Sequence, residues 1–259
     1  MNANPVAVIT GASRGIGRAT AIALAKEGFD IVAISRTVDS EAMASLAPEV
    51  NHLGVHFFPV GLDISHTERH SEVISLIMEH YGRIDFLVNN ARIAPNNHSD
   101  ILDLTEENFD RICGINLKGP VFFAQRVARE MIWLKSQLPG STPAIVFITS
   151  VLASLSSDGR GEYCMAKSGL SMATSIFARR LAKEGINVYE VRPGITDADM
   201  TPKAKDKYEC ILSDGAIPQG RWATPEEIAK GIASIAGGDW SFSTGMIFEI
   251  SGGMNLRSL

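Results

Sequence analysis

The stretch Val6-Ala7-Val8-Ile9-Thr10-Gly11-Ala12-Ser13-Arg14-Gly15-Ile16-Gly17 decides the fold of this 259-residue chain. Its first five residues form an apolar run that predicts a buried strand. Arg14 to Lys26 predicts a helix that Gly28 can cap. Glycines between the two elements allow a tight turn and a close approach of the backbone to a bound group. A glycine-rich turn that leaves a strand and opens a helix offers free N–H groups to a pyrophosphate, so it predicts a dinucleotide-binding βαβ unit.

The rest of the chain alternates short apolar runs with longer helical patterns. The predicted strands are Val6–Thr10, Asp30–Ser35, Val55–Pro59, Phe86–Val88, Ala144–Thr149, Asn187–Val191 and Met246–Ile250. The predicted helices are Arg14–Lys26, Ser65–Tyr81 with a capping box of Ser65 and Glu68, Thr105–Lys135 with an interruption near Gly119-Pro120, Gly161–Glu184, and one that Thr224 caps. Apolar strands separated by helices indicate a parallel sheet covered on both faces. We therefore expect an α/β protein: a single Rossmann-type, doubly wound parallel sheet flanked by helices on both faces, one domain over residues 1–259, with a substrate loop at about 195–222.

The end of the second predicted strand bears on the choice of dinucleotide. NAD sites usually place an Asp or Glu there, on the ribose 2′-hydroxyl. Here the strand ends Ile34-Ser35-Arg36, with no carboxylate at its tip. Arg36 and Arg14 could together bind a 2′-phosphate through charge-assisted contacts. The sequence therefore favours NADP(H) over NAD(H), the alternative being that both arginines are solvated surface charges.

A second set of residues predicts acid–base chemistry. Tyr163 and Lys167 are four positions apart in a predicted helix, so the phenol and the ammonium share a face. A neighbouring ammonium lowers the pKa of a phenol toward the working range of an acid–base catalyst. Ser150 ends an apolar run, and its hydroxyl could hold a substrate oxygen. Asn116 is a poor helix former inside a predicted helix, which favours either a local break made for function or a kink unrelated to it.

Composition excludes several classes of function. The formal charge of −5 argues against a nucleic-acid partner or an anionic membrane partner. We expect no signal peptide and no membrane span, and three widely spaced cysteines fit a reducing, cytoplasmic location. His66 and His70 are four positions apart, but without a third ligand they predict a solvated helix face rather than a metal site.

The glycine turn, the Ser–Tyr–Lys set and the sheet pattern together resemble the short-chain dehydrogenase/reductase family, in particular its 3-oxoacyl-carrier-protein reductase-like members. The resemblance implies reversible hydride transfer between a nicotinamide and a small carbonyl or secondary alcohol substrate, such as a 3-oxoacyl thioester. The catalytic residues it implies are Asn116, which would hold a proton-relay water, and Ser150, Tyr163 and Lys167. The cofactor-binding residues it implies are Gly11, Ser13, Arg14, Gly15, Ile16, Gly17, Arg36, Asp63, Ile64, Asn89, Asn90, Ala91, Tyr163, Lys167, Pro193, Gly194 and Thr196. It also implies a homotetramer built on the long helices around Phe109–Arg129 and Gly161–Leu181.

The sequence departs from the family pattern at three places. Arg92 stands where the family usually has glycine, and its side chain could crowd the cofactor, strain the backbone or point outward. Ala198 stands where a threonine often contacts the carboxamide, which leaves Thr196 and Thr201 as alternatives. Glu184 replaces a basic residue with which carrier-protein reductases often dock their acidic partner, and Lys135 could compensate in part.

Two other functions remain open from the sequence. One is a non-catalytic dinucleotide-binding sensor or scaffold, since a fold alone does not fix activity. The other is an NAD-dependent polyol, sugar or steroid alcohol dehydrogenase working in the oxidative direction.

Overall fold

The computed structural model describes residues 4–95, 100–197, 212 and 214–256. Its strands are β1 (Val6–Thr10), β2 (Asp30–Ser35), β3 (Phe57–Gly61), β4 (Phe86–Asn89), β5 (Ala144–Ile148), β6 (Asn187–Pro193) and β7 (Ile247–Ile250). Its α-helices are α1 (Gly15–Lys26), α2 (Glu41–His52), α3 (His70–Tyr81), α4 (Glu106–Cys113), α5 (Gly119–Gln137), α6 (Gly161–Leu181) and α7 (Pro225–Ala236). The strands form one sheet in the order β3-β2-β1-β4-β5-β6-β7, and every pair is parallel. The predicted doubly wound sheet is confirmed.

Helices cover both faces of the sheet because its strands are apolar on both sides. Val6 and Val8 of β1 point into a core shared with α3, α5 and α6, while Ala7 and Ile9 point into a core shared with α1, α2 and α7. β1 pairs with β2 on one side and β4 on the other, so the strand order reverses between β1 and β4. Ligands of open α/β sheets bind beyond the carboxyl ends of the strands at such a reversal. The glycine turn follows one of these two strands.

The structure shifts one predicted strand and adds a helix that the sequence analysis did not predict. β3 begins at Phe57 rather than Val55 and runs past Pro59 to Gly61. It is an edge strand, where a proline without an N–H is tolerated, so Pro59 does not end it. The unpredicted helix is α2, in which the Ser40 side chain accepts a hydrogen bond from the backbone N–H of Met43. The sequence did not predict this helix because Pro48 lies inside it, and proline is unfavourable in a helix interior.

The predicted capping box at Ser65 is wrong. The Ser65 hydroxyl donates instead to Asp63 Oδ1 at 2.7 Å, and α3 begins only at His70, after a 3₁₀ turn at Thr67–Arg69. His70 is fully buried rather than part of a solvated face, and its Nε2 lies 2.9 Å from the carbonyl oxygen of Ile64. Burial lowers the pKa of His70 below its ordinary value. Packing against apolar neighbours and the contact with the Ile64 carbonyl oxygen therefore give His70 a structural role.

The capping box predicted at the start of the last helix forms. The Thr224 side chain accepts from the backbone N–H of Glu227, whose carboxylate accepts from the backbone N–H of Thr224 at 2.9 Å. Just before it, the two ends of the predicted substrate loop are joined: Asp197 N–H donates to the Ala223 carbonyl at 2.9 Å, and Ala223 N–H donates to the Ile195 carbonyl at 3.0 Å. Most of that loop, including Thr201, lies outside the described residues.

The region predicted as one or two helices between residues 105 and 135 holds two α-helices, and the second begins at Gly119. Between them, α4 passes into a π-helical segment, Gly114–Lys118, and then directly into α5. Glycine is required at 119 because an added Cβ would lie 2.4 Å from the Ile64 carbonyl oxygen. In the part of the chain that the structure describes, no helix has the length and apolarity needed to cross a membrane.

Candidate active site

The glycine turn between β1 and α1 has the shape of an anion cradle. Gly11 and Gly15 adopt φ of +68° and +54°, a region that favours glycine. A Cβ on Gly17 would lie 2.2 Å from the Gly11 carbonyl oxygen, so only glycine fits there. The Arg14 side chain makes no capping bond, and the first turn of α1 carries no acidic residue. The first-turn N–H groups therefore suit the diphosphate of a dinucleotide.

A cavity of about 670 Å³ extends from this turn across the carboxyl edge of the sheet. Ten of the predicted cofactor-binding residues line it: Gly11, Ser13, Arg14, Gly15, Ile16, Arg36, Asp63, Ile64, Asn90 and Ala91. The predicted residues that do not line it are Gly17, Asn89, Pro193, Gly194 and Thr196 and the four proposed catalytic ones. The cavity therefore has a position and a lining that suit the nucleotide half of a cofactor, and we call it the nucleotide groove.

Asp63 lies on the wall of the groove with one oxygen engaged. Its Oδ1 accepts from the backbone N–H of Ser65 at 3.0 Å and from the Ser65 hydroxyl. Burial acts to raise the pKa of Asp63, but the two Ser65 hydrogen bonds, with His66 and Arg36 nearby, hold it below its ordinary value. The carboxylate is therefore charged at neutral pH and can accept a hydrogen bond from an adenine amino group.

Asn90 fastens the glycine turn to the end of β4. Its Nδ2 donates to the carbonyl oxygens of Thr10 and Gly11, at 2.9 and 3.1 Å. The Thr10 hydroxyl accepts in return from the backbone N–H groups of Asn90 and Ala91, both at 3.0 Å. Asn89 points elsewhere: its side chain is buried, and neither amide atom has a partner among the described residues. Asn90 therefore shapes the groove directly, whereas Asn89 lies beneath it.

Tyr163 and Lys167 share one face of α6, as predicted. Lys167 Nζ lies 5.8 Å from the centroid of the Tyr163 ring and donates to the Ile148 carbonyl oxygen at 2.8 Å. Lys167 is 1% exposed. Burial and, to a smaller extent, the positive charge of Arg92 lower the pKa of Lys167 to about 7, against the opposing effect of the Glu190 carboxylate. A lysine with this pKa can take up or release a proton near neutrality.

Ser150 lies at the carboxyl end of β5, beside this helix. Its hydroxyl accepts from the backbone N–H of Leu152 at 3.2 Å and caps the 3₁₀ turn Val151–Ala153. That turn packs on α6, where the Ser168 hydroxyl donates to the Ala153 carbonyl at 2.9 Å. Leu152 also belongs to a small apolar cluster with Tyr163. The fold thus brings Ser150 and Tyr163 to the same end of the sheet.

Asn116 occupies the π-helical segment, so the expected local break is present. Its Oδ1 accepts from the Ile93 N–H and its Nδ2 donates to the Ile93 carbonyl, both at 2.9 Å. One donor and one acceptor site of the side-chain amide therefore hold the segment that follows Ala91.

Two arginines of the groove were not assigned to it from the sequence. Arg92 is exposed and lines the cavity, so the departure from the family's usual glycine lies at the groove itself. Arg111 of α4 lines the same cavity, and its Nε and Nη2 are buried without a partner among the described residues. The sequence feature that could have placed Arg111 at the groove is its i, i+4 spacing to Ile115, which also lines it.

The remaining predicted cofactor residues lie at the end of β6. Pro193 ends the strand, and an added Cβ on Gly194 would lie 2.8 Å from the Ser251 Cα, so glycine permits close packing there. The Thr196 hydroxyl donates to the Gly194 carbonyl at 3.3 Å. This turn stands beyond β5 and Ser150 in the sheet order. The site as a whole combines an anion cradle, a nucleotide groove and a proton donor with an adjacent amine.

Comparison with known proteins agrees with this geometry. Residues 5–209 match the family model described as short chain dehydrogenase. The 3-oxoacyl-[acyl-carrier-protein] reductase of Thermotoga maritima is 35% identical over 250 residues, which cover 96% of this chain and 97% of that protein. The corresponding reductase of Staphylococcus epidermidis is 31% identical over 97% of this chain and 99% of its own.

Solved structures show the same fold over the full length. A 3-oxoacyl-[acyl-carrier protein] reductase from Brucella melitensis, solved in complex with NAD, superimposes with a TM-score of 0.94 at 36% identity and covers 100% of both chains. An acetoin dehydrogenase from Enterobacter cloacae superimposes with a TM-score of 0.85 at 30% identity, over 99% of this chain and 98% of its own. The chain therefore belongs to the short-chain dehydrogenase/reductase family, the NAD(P)-dependent oxidoreductases that act on carbonyl and CH–OH groups.

Proposed function

We propose that this protein reduces the carbonyl group of a small substrate with NADPH. The observation that carries the proposal is the pairing of Tyr163 with a buried lysine whose pKa is about 7, next to the glycine turn and its groove. A bound nicotinamide dinucleotide supplies the hydride. The chain's own residues then have to bind it, orient the carbonyl group and deliver a proton.

The proton is delivered by Tyr163. Its hydroxyl donates to the substrate oxygen as negative charge develops there, while the Ser150 hydroxyl donates a second hydrogen bond to the same oxygen. Lys167 then restores the proton of Tyr163, which its pKa near neutrality allows. Asn116 supports the segment after Ala91 through its side-chain amide, and it would also hold the proton-relay water.

The groove would hold the dinucleotide. Gly11 to Gly17 and the first turn of α1 would bind its diphosphate, Asp63 and Ile64 would contact the adenine, and the segment Asn89 to Ala91 would contact the ribose. Pro193, Gly194 and Thr196 would contact the nicotinamide. Arg14 and Arg36 line the groove and would favour a 2′-phosphate, so we propose NADP(H) over NAD(H).

The substrate class follows from the relatives' names. We propose a 3-oxoacyl thioester, as in the reductases of Thermotoga maritima and Staphylococcus epidermidis. Docking of a carrier protein has less support in this chain. Glu184 pairs with Arg180 at 2.8 Å, and Lys135 Nζ is occupied by the carbonyl oxygens of Pro139 and Ser141. We therefore expect coenzyme A thioesters to be reduced at least as well as carrier-protein thioesters.

The assembly we propose is a cytoplasmic homotetramer. The apolar spacing Leu170, Ala173 and Leu181 of α6 is buried within this chain's own core. Met172 and Ile176 on the other side of α6 are 62% and 61% exposed, and exposed apolar patches of this kind mark protein interfaces. Light scattering after size-exclusion chromatography tests the assembly.

The test of the function is NADPH oxidation against a panel of carbonyl compounds that includes a 3-oxoacyl thioester. Tyr163→Phe should bind NADPH nearly as wild type does and lose about 10²- to 10⁴-fold in turnover, because it lacks the proton donor. Tyr81→Phe is the matched control, since the Tyr81 hydroxyl is buried without a partner among the described residues and lies outside the groove. Turnover by Tyr163→Phe near the wild-type rate would refute the mechanism, and NADPH binding without turnover on any substrate would favour a sensor.

A further inference from the structure

A fully buried carboxylate lies behind the proposed catalytic residues and has no assigned role. Glu190 in β6 is 1% exposed. Its Oε1 accepts from the Thr149 hydroxyl at 2.6 Å and from Arg192 Nε at 2.5 Å, and its Oε2 accepts from the Ser171 hydroxyl at 2.7 Å. Arg192 Nη2 also donates to the Ser171 hydroxyl at 2.9 Å. Burying a carboxylate is costly unless every oxygen is paired, and here both are.

The first contact of this carboxylate leads to the end of β5. Thr149 lies between Ile148, whose carbonyl oxygen accepts from Lys167 Nζ, and Ser150, the proposed donor to the substrate oxygen. The Thr149 backbone N–H also donates to the Val191 carbonyl oxygen of β6 at 2.9 Å. Glu190 therefore adds a side-chain anchor to the strand end that carries Ser150 and the acceptor of Lys167.

The second contact leads to α6. Ser171 is four residues after Lys167 and eight after Tyr163, so it lies on the same side of that helix. One carboxylate thus joins the strand that carries Ser150 to the helix that carries Tyr163 and Lys167. Two elements that meet at an active site need such a support, because a displacement of about 1 Å can cost about 100-fold in rate.

We propose that Glu190 is a positioning residue that sets the placement of Ser150 relative to Tyr163 and Lys167 by bridging Thr149 and Ser171. The proposal rests on the function proposed above for those three residues. The negative charge of Glu190 has a second effect, since it favours the protonated form of Lys167 against burial and Arg92. The other titratable or charged groups around the two residues are Tyr163, Arg192 and Glu249.

Cutting the two contacts separately tests the positioning role. Thr149→Val and Ser171→Ala should each lower kcat about 10- to 100-fold and leave the dissociation constant of NADPH unchanged, because the groove is untouched. Thr174→Val is the matched control: this buried α6 threonine donates only within its own helix, to the Leu170 carbonyl at 3.1 Å. Wild-type kcat in both Thr149→Val and Ser171→Ala would overturn the proposal.

A readout that does not need turnover comes from Glu190→Gln, which keeps the shape and removes the charge. The titration midpoint of Lys167, followed by the chemical shift of its Cε in labelled protein and assigned with Lys167→Met, should move about one pH unit lower. An unchanged midpoint would overturn the electrostatic part. If the wild-type protein turns over no substrate but the Lys167 midpoint still moves in Glu190→Gln, the proposed function fails. The electrostatic effect of Glu190 on Lys167 is then still supported. If Glu190→Gln does not fold, Thr149→Val and Ser171→Ala still decide the question.

Discussion

Replacing Lys167 with methionine should stabilise the protein free of cofactor at neutral pH while abolishing turnover. Lys167 is 1% exposed, and burial lowers its pKa from 10.5 to about 7. In the unfolded chain the amine regains its ordinary pKa, so between these two values the unfolded state binds a proton that the folded state does not. The free energy of unfolding therefore rises with pH through this window and is constant below it.

The magnitude follows from the width of that window. Each pH unit contributes about 1.4 kcal/mol to the free energy of unfolding. The burial of Lys167 therefore lowers that free energy by about 5 kcal/mol below pH 7 and by almost nothing above pH 10.5. Methionine has a similar length and no proton to bind, but it loses the hydrogen bond to the Ile148 carbonyl, worth about 1–2 kcal/mol. We expect Lys167→Met to be more stable than wild type by about 3 kcal/mol near pH 6.5, and less stable by about 1 kcal/mol near pH 10.

Urea unfolding of both proteins at pH 6.5, 8 and 10 measures this difference. Comparing the two proteins at each pH cancels the titration of every group they share. Lys183→Met is the control, because Lys183 is exposed in the 3₁₀ turn after α6 and its replacement should leave the pH dependence as in wild type. If the stability curves of Lys167→Met and wild type run parallel across this pH range, Lys167 is not a neutral buried amine and the reasoning fails.

Three further changes have definite expected outcomes. Gly17→Ala should lower the free energy of unfolding by about 1–3 kcal/mol and weaken NADPH binding in a fluorescence titration, because its Cβ would lie 2.2 Å from a backbone oxygen. Gly140→Ala is its control, since a Cβ added there meets nothing within 4 Å. Equal stability and equal NADPH binding of the two variants would contradict the packing argument. Thr224→Ala should cost about 1 kcal/mol in urea unfolding through the lost helix cap and leave turnover unchanged; a loss of activity at equal stability would be evidence against a purely structural role. Arg92→Gly should raise the midpoint of Lys167 in the same titration of its Cε shift, since a nearby positive charge is removed, and a fall in that midpoint would count against the assignment.

The glycine turn and the Tyr–Lys pair could be predicted from the sequence because their signals are local. A turn between a strand and a helix, and two residues four apart on a helix, need no knowledge of distant contacts. The same is true of the capping box at Thr224. The doubly wound parallel sheet could also be predicted, because alternating strands and helices leave few ways to build an α/β fold.

Features that depend on distant partners could not be predicted. The Thr149 hydroxyl and the Glu190 carboxylate are 41 residues apart, and neither position shows in its own sequence context what it will face. The Asn116 amide binds Ile93, 23 residues away, a contact that the sequence around Asn116 does not reveal. His70 looked like part of a polar face, and only packing against Phe123 shows it to be internal.

The π-helical segment changes the direction in which one continuous helix faces. An α-helix turns by about 100° per residue, so one additional residue in a turn rotates everything after it by about that angle. Before the segment, Arg111 faces the groove; after it, Phe123, Val127 and Met131 face the sheet. A regular helix of the same sequence would keep one of these orientations and lose the other. The extra residue thus allows one continuous helix to contribute to both the wall of the nucleotide groove and the core of the protein. It also fixes the rotation of the core-facing half relative to the half that lines the groove.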